Sequence, residues 1–174
     1  DLATKIAELQ YKNRDFVLLF RGQRRDYVNR KRYTSLKPGL FRPANGENPI
    51  GAVLGNRFHR LSTAEASLVQ AYQAEGLPGL TKLKRQPILR WSILQHYEVC
   101  DTPLLDVTHS IRIAASFASE GATNEAYVYV LGVPNLSGAI TASAEAGIQI
   151  VRLSSVCPPT ALRPHIQEGY LLGE

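Results

Sequence analysis

The chain has 174 residues, 44% hydrophobic and 20% charged, with 20 Lys and Arg against 15 Asp and Glu, a formal net charge of +5. That length and balance fit one folded domain over 1–174 with a buried core, and they exclude a chain disordered throughout. Two cysteines, Cys100 and Cys157, are too few for a disulfide framework and read as small buried side chains. No apolar run reaches membrane-spanning length and no signal peptide is visible, so no membrane association and a cytoplasmic location are expected. The absence of Met leads us to expect a chain that begins inside a longer product.

Taken in chain order, residues 2–10 have Leu2, Ile6 and Leu9 at helical spacing. The run 16–20 is rich in β-formers and reads as a buried strand ending at Arg21-Gly22, where a glycine allows either a backbone conformation or a close approach that a Cβ would block. Residues 35–56, punctuated by Pro38, Gly39, Pro43, Gly46, Pro49, Gly51 and Gly55, read as a long loop. Ser62-Thr-Ala-Glu65 has capping-box spacing and opens a helix through Ala74, which Gly76 and Gly79 stop. Residues 86–97 form a mostly buried helix with Pro87 in its first turn; 104–108 is extended; 110–119 is helical. Strands are expected at 126–131, 147–153 and 169–172, with Pro158-Pro159 breaking the second of these and 160–168 as a connection. Helices come mostly early and strands mostly late, so the fold class is α+β, with helices packed on small, mainly antiparallel sheets.

Basic residues cluster at Arg21, Arg24, Arg25, Arg30, Lys31 and Arg32, and again at Lys82, Lys84, Arg85 and Arg90. Such runs are usually a solvated face and less often a phosphate-binding one. Arg21 ends an apolar strand, where its guanidinium can grip phosphate oxygens in bidentate fashion or neutralise Asp106, which sits between Leu105 and Val107 and reads as a buried carboxylate. His96 can serve as acid or base, or hold the next loop through a backbone carbonyl. Tyr97 can stack on a ring or fill the core. Thr108 and Ser110 precede a helix, so one of them caps it, in competition with an anion for the same amides. Glu65 is an alternative carboxylate with a capping-box role as its plainer explanation. The scattered His59, His96, His109 and His165 and the unpaired cysteines argue against a metal site, and no phosphate-binding glycine fingerprint occurs.

Several ordered motifs resemble the FRG domain family: Phe20-Arg21-Gly22-Gln23; Ser35-Leu-Lys-Pro38 with Leu40-Phe41-Arg42; Trp91-Ser-Ile-Leu-Gln95-His96-Tyr97 followed by Thr102-Pro103-Leu104-Leu105-Asp106-Val-Thr108 and the stretch 114–118; and Arg163 to Gly169. The family's usual "G-L-P-T-R" after His-Tyr is replaced here by 98–103, and Val107 stands where a tryptophan is common. The layout is similar to that of ADP-ribosyltransferases, which cleave NAD and pass on ADP-ribose. That likeness is one of layout alone.

The resemblance implies an ADP-ribosyltransferase-like fold and an NAD-dependent transfer to a nucleic-acid or protein acceptor, in a bacterial toxin or defence effector. It assigns Arg21, Gly22, Gln23, Tyr97, Thr108 and Ser110 to NAD binding, and Glu168, Gln167 and His96 to catalysis. A fixed Glu168 carboxylate would stabilise positive charge developing on the ribose. The Gln167-Glu168-Gly169 order departs from the Gln-x-Glu spacing of many such transferases. Arg21, His96, Thr108 and Gln167 are expected to converge on one pocket. The alternative is a non-catalytic module that binds nucleic acid through the Arg21 to Arg32 cluster.

Overall fold

The amide of Gly22 lies on a strand pressed so closely against a helix that no side chain fits between them. In the computed structural model, which describes residues 1–29, 31–43, 48–157 and 162–174, a Cβ on Gly22 would collide with the Ala114 carbonyl and come within 2.7 Å of the Ala118 amide. The strand is β1 (Val17–Gln23) and the helix α5 (Ile111–Ser119). Ala114 and Ala118 present the small side chains that permit the approach, and both are buried. Leu18, Phe20 and Ala114 form a core cluster here, with Ile6, Ile111 and Val128 packed against it.

The described residues divide into two compact units, 1–35 with 106–170, and 36–105 with 171–174. In the first unit, α1 (Leu2–Lys12) precedes β1, and α5 is followed by β3 (Tyr127–Val133), β4 (Ile140–Ser143) and β5 (Ile148–Arg152). Short helices α6 (Leu153–Val156) and α7 (Leu162–Ile166) lead to β6 (Gly169–Gly173). With β2 (Leu105–Thr108) these strands make one six-stranded sheet in the order β3-β1-β2-β6-β5-β4. β1 is antiparallel to β3 from Val17↔Val133 to Gln23↔Tyr127, and antiparallel to β2 with Phe20 opposite Thr108. β4 and β5 are antiparallel as well. The class is α+β, and among the described residues the named strands form one six-stranded sheet.

The second unit holds α2 (Gly51–Ala74), α3 (Leu80–Arg85) and α4 (Pro87–His96), preceded by a 3-10 turn at Gly39–Phe41, together with the last residues of β6. Leu40, Leu61 and Leu94 form its core, with Ala64, Leu68, Trp91 and Cys100 packed around them. Here the structure corrects the sequence. The loop expected through 56 gives way to helix at Gly51, so Ser62-Thr-Ala-Glu65 lies inside α2 and caps nothing. The apolar series Leu54, Leu61, Leu68 holds its helical spacing through that segment, and a packed face outweighs the cost of two glycines. Thr63 turns its hydroxyl back to the His59 carbonyl at 3.0 Å, the usual accommodation of a mid-helix threonine. Glu65, freed from capping, forms a part-buried ion pair with Arg90 at 2.7 Å. The Pro158-Pro159 break lies outside the described residues.

Two glycine substitutions should diverge. Gly22→Ala forces β1 and α5 apart and should cost at least the roughly 1–3 kcal/mol of an overpacked core. Gly55→Ala, inside α2 with open space around its Cβ, should stabilise by about 0.5–1 kcal/mol. Urea denaturation of both proteins checks this.

Candidate functional site

Three segments meet at the centre of the sheet, where β1, β2 and β6 are neighbours. Arg21, on β1, reaches across to β2: its Nη1 donates to the Asp106 carbonyl oxygen at 2.6 Å. Thr108, buried at the end of β2, donates through Oγ1 to the Gln167 carbonyl at 2.7 Å and accepts from the Ser110 amide at 3.0 Å. The next residue continues the seam, with the His109 amide donating to the Glu168 carbonyl at 3.1 Å. Thr108 holds the turn before β6 on one side and the entry to α5 on the other.

Ser110 is the N-cap of α5, its Oγ accepting from the Ile113 amide at 3.4 Å. Of the two candidates Ser110 is the one that caps, and its Oγ takes an amide that an anion would need, while the Thr108 hydroxyl is engaged at Gln167 and Ser110. Gly22 contributes closeness of helix to sheet. Strand alternation puts Arg21 and Gln23 together with Leu19 on the face opposite α5. Gln23 Oε1 is buried and has no hydrogen-bond partner among the described residues. Tyr129, paired with Arg21 across β1 and β3, donates to Asp26 Oδ1 at 2.8 Å. Burial, then the Asp26 carboxylate, push the Tyr129 phenol well above its ordinary value.

Asp106 differs from its sequence reading. Its side chain is 58% exposed and its Oδ2 stands 4.0 Å from Arg21, whose own side chain is 11% exposed. Leu105 and Val107 are buried on one side of β2, so alternation turns Asp106 to the other. Arg21 is tied to the backbone of β2, and the carboxylate is only a loose second partner.

Glu168 is exposed and adopts a left-handed backbone, φ 44°. Gln167 is half-buried, its amide donating to the Arg163 carbonyl at 3.0 Å. Arg32 and Glu98 also have positive φ, so left-handed backbone is not confined to this turn. Arg21, Thr108, Ser110, Gln167 and Glu168 thus lie in one unit, on or beside adjacent strands. His96 and Tyr97 belong to the other unit, at the end of α4. His96 is buried and meets the Tyr97 ring edge-on at 5.1 Å, while Tyr97 itself is exposed. In the same unit Gln95 Oε1 accepts a short hydrogen bond from Thr102, whose side chain is fully buried.

The FRG domain profile matches residues 17–126. The chain belongs to the FRG domain family. The match takes in Arg21 to Gln23, Gln95 to Tyr97, Thr108 and Ser110, and it ends before the 163–169 element. A search of curated proteins and a search of solved structures each found no match. Among the described residues of this FRG domain, no helix is long and apolar enough to cross a membrane, and no group of three or more His, Cys, Asp or Glu could hold a metal.

The seam gives two predictions. Thr108→Val leaves the Gln167 carbonyl and Ser110 amide without their partner and should destabilise by about 1–3 kcal/mol. Thr108→Ser keeps the hydroxyl and should cost only about 1 kcal/mol for the lost methyl, both read by urea titration. The raised Tyr129 pKa means that the folded state keeps a proton which the unfolded chain releases near pH 10. That stabilisation is complete below about pH 10 and is lost as pH rises toward the folded value. Tyr129→Phe should flatten the alkaline fall in stability, measured as melting temperature from pH 9 to 11.

Proposed function

We propose that this FRG domain binds NAD where β1, β2 and β6 meet and acts as an ADP-ribosyltransferase-like enzyme. The observation supporting this most is the linkage of Arg21, Thr108 and the Gln167-Glu168 turn on adjacent central strands, in the order an NAD-cleaving layout requires. The fit of residues to ligand rests on two further features. The Arg21 guanidinium, 11% exposed, lies on the same face of β1 as Gln23 and carries the fixed charge and planar fork that suit a pyrophosphate. The buried Gln23 Oε1 on the same face can accept from a carboxamide or a ribose hydroxyl.

In this reading NAD supplies an activated ADP-ribosyl group, and the protein supplies position and charge. Arg21 grips pyrophosphate oxygens and Gln23 orients the nucleotide. Thr108 and Ser110 act indirectly, by fixing the Glu168 turn and the start of α5. Glu168 places a carboxylate by the ribose, held by the His109 amide on its carbonyl. The left-handed backbone at Glu168, a conformation costing a non-glycine residue about 1–2 kcal/mol, accords with a residue kept for its side chain. The acceptor is a nucleic acid or a protein. A cytoplasmic toxin or defence effector, working where NAD is abundant, is the setting that suits such an activity.

Calorimetric titration with NAD and incubation with labelled NAD test this reading. Arg21→Lys keeps the charge but loses the fork, and should weaken NAD binding about tenfold, the equivalent of one charge-assisted hydrogen bond at roughly 1.4 kcal/mol. Arg21→Ala should abolish binding and cost about 1.5–3 kcal/mol of stability, below the 3–5 expected had it stranded a buried carboxylate. Glu168→Gln should remove turnover while binding stays within a few-fold. Absence of both NAD binding and turnover in the wild-type protein contradicts the proposal.

A further inference from the structure

The basic cluster of the sequence divides in the structure. Arg21 belongs to the sheet, whereas Arg24, Arg25, Lys31 and Arg32 are exposed on the segment that follows β1. That segment folds back on itself as a short ribbon. Val28 bridges Thr34 in antiparallel sense, the Asn29 amide donates to the Tyr33 carbonyl at 2.8 Å, and the Ser35 amide to the Tyr27 carbonyl at 2.7 Å. Asn29 Oδ1 accepts from the Lys31 and Tyr33 amides at 2.9 and 3.0 Å and so braces the turn.

With Val28 opposite Thr34, alternation assigns Asp26, Val28 and Thr34 to one face of the ribbon, and Tyr27, Asn29 and Tyr33 to the other. The first face is anchored. Thr34 Oγ1 lies 3.1 Å from both Asp26 carboxylate oxygens, and Tyr129 on β3 donates to Asp26 Oδ1 at 2.8 Å. The second face carries Tyr27, 41% exposed, and Tyr33, 68% exposed. They are diagonal neighbours, at a spacing of roughly 7–8 Å for such positions. The Arg25 guanidinium sits over the Tyr27 ring, 4.9 Å from its centroid.

We infer that this ribbon is a binding surface for single-stranded nucleic acid, with bases stacking on Tyr27 and Tyr33 and the phosphates drawn to Arg24, Arg25, Lys31 and Arg32. Two exposed rings among cations, Tyr27 with one face under Arg25 and Tyr33 more exposed, match the recurring composition of single-strand binding surfaces, in which aromatic faces take the bases and a basic track takes the backbone. Charge complementarity selects a polyanion, because the carboxylate of the segment, Asp26, is turned inward onto Thr34 and Tyr129. The rings select bases that are free to stack, which a duplex does not offer. This surface goes beyond NAD binding and does not depend on it.

Fluorescence anisotropy with labelled oligothymidylate, a matched blunt duplex and anionic phosphatidylserine vesicles, all without NAD, tests the inference. The single strand should bind more tightly than the duplex, and binding should weaken with added salt. Tyr27→Ala and Tyr33→Ala should each weaken it by on the order of 5- to 150-fold, and Tyr33→Phe should retain it, since the ring and not the hydroxyl stacks. Arg25→Ala should lower affinity and reduce the salt slope by about one. Tyr33 is so exposed that its variants should melt as the wild type does, and circular dichroism verifies that they fold. Equal affinity for duplex and single strand, tyrosine variants that bind like wild type, or binding to vesicles alone would each overturn the inference, whatever the outcome of the NAD experiments.

Discussion

The hydroxyl of Thr108 joins three stretches of chain that are far apart in sequence. As a donor it fixes the Gln167 carbonyl, and as an acceptor it fixes the Ser110 amide. The side chain is buried, so neither bond is traded cheaply for water. Through it the end of β2 determines both where α5 begins and how the chain turns into β6. The amide of His109 then sets the conformation at Glu168, and Arg21 secures the other side of β2 by holding the Asp106 carbonyl. The candidate site is this seam with side chains attached, which is why its residues come from three separate parts of the sequence.

The close packing of α5 on β1 serves the same arrangement. Without a Cβ at Gly22, the helix lies against the strand that carries Arg21, while Arg21 and Gln23 face the opposite side. One face of β1 packs on α5, and the other carries the buried Leu19 together with the polar Arg21 and Gln23. The charge following β1 is sorted in the same way: Arg21 stays within the sheet, and the remaining cations ride on the ribbon anchored through Asp26.

Much of this was legible because it depends on local chemistry. A glycine at the end of an apolar strand announces a special backbone conformation or a close approach, and Gly22 makes the close approach. Thr108 and Ser110 before a helical run announce that one of them caps it, and the structure assigns the cap to Ser110. The strands at β3, β5 and β6 were readable from their β-branched and aromatic runs. What was not legible depended on partners. The start of α2 was hidden by Gly51 and Gly55, whose loop signals yield to the packing of Leu61 and Leu68 around Leu40 and Leu94. Glu65 looked like a capping glutamate because Arg90, its partner, lies 25 residues away. The exposure of Asp106 follows from strand alternation, which was available from the sequence; its apolar neighbours drew attention instead. Strand β4 is short and flanked by small residues, so only its pairing with β5 defines it. The ribbon of Tyr27 and Tyr33 needed the Val28–Thr34 pairing, for which spacing alone gives no signal.

The central claim is that the ends of β1 and β2 and the turn before β6 form one ligand site. Backbone amide chemical shifts, followed by NMR during titration with NAD, address it most directly. The account predicts that the largest changes fall together on three separated stretches, at Arg21 to Gln23, Thr108 to Ile111 and Gln167 to Gly169, and saturate along a single binding curve. Saturable changes confined to other residues, or to only one of these stretches, would contradict it.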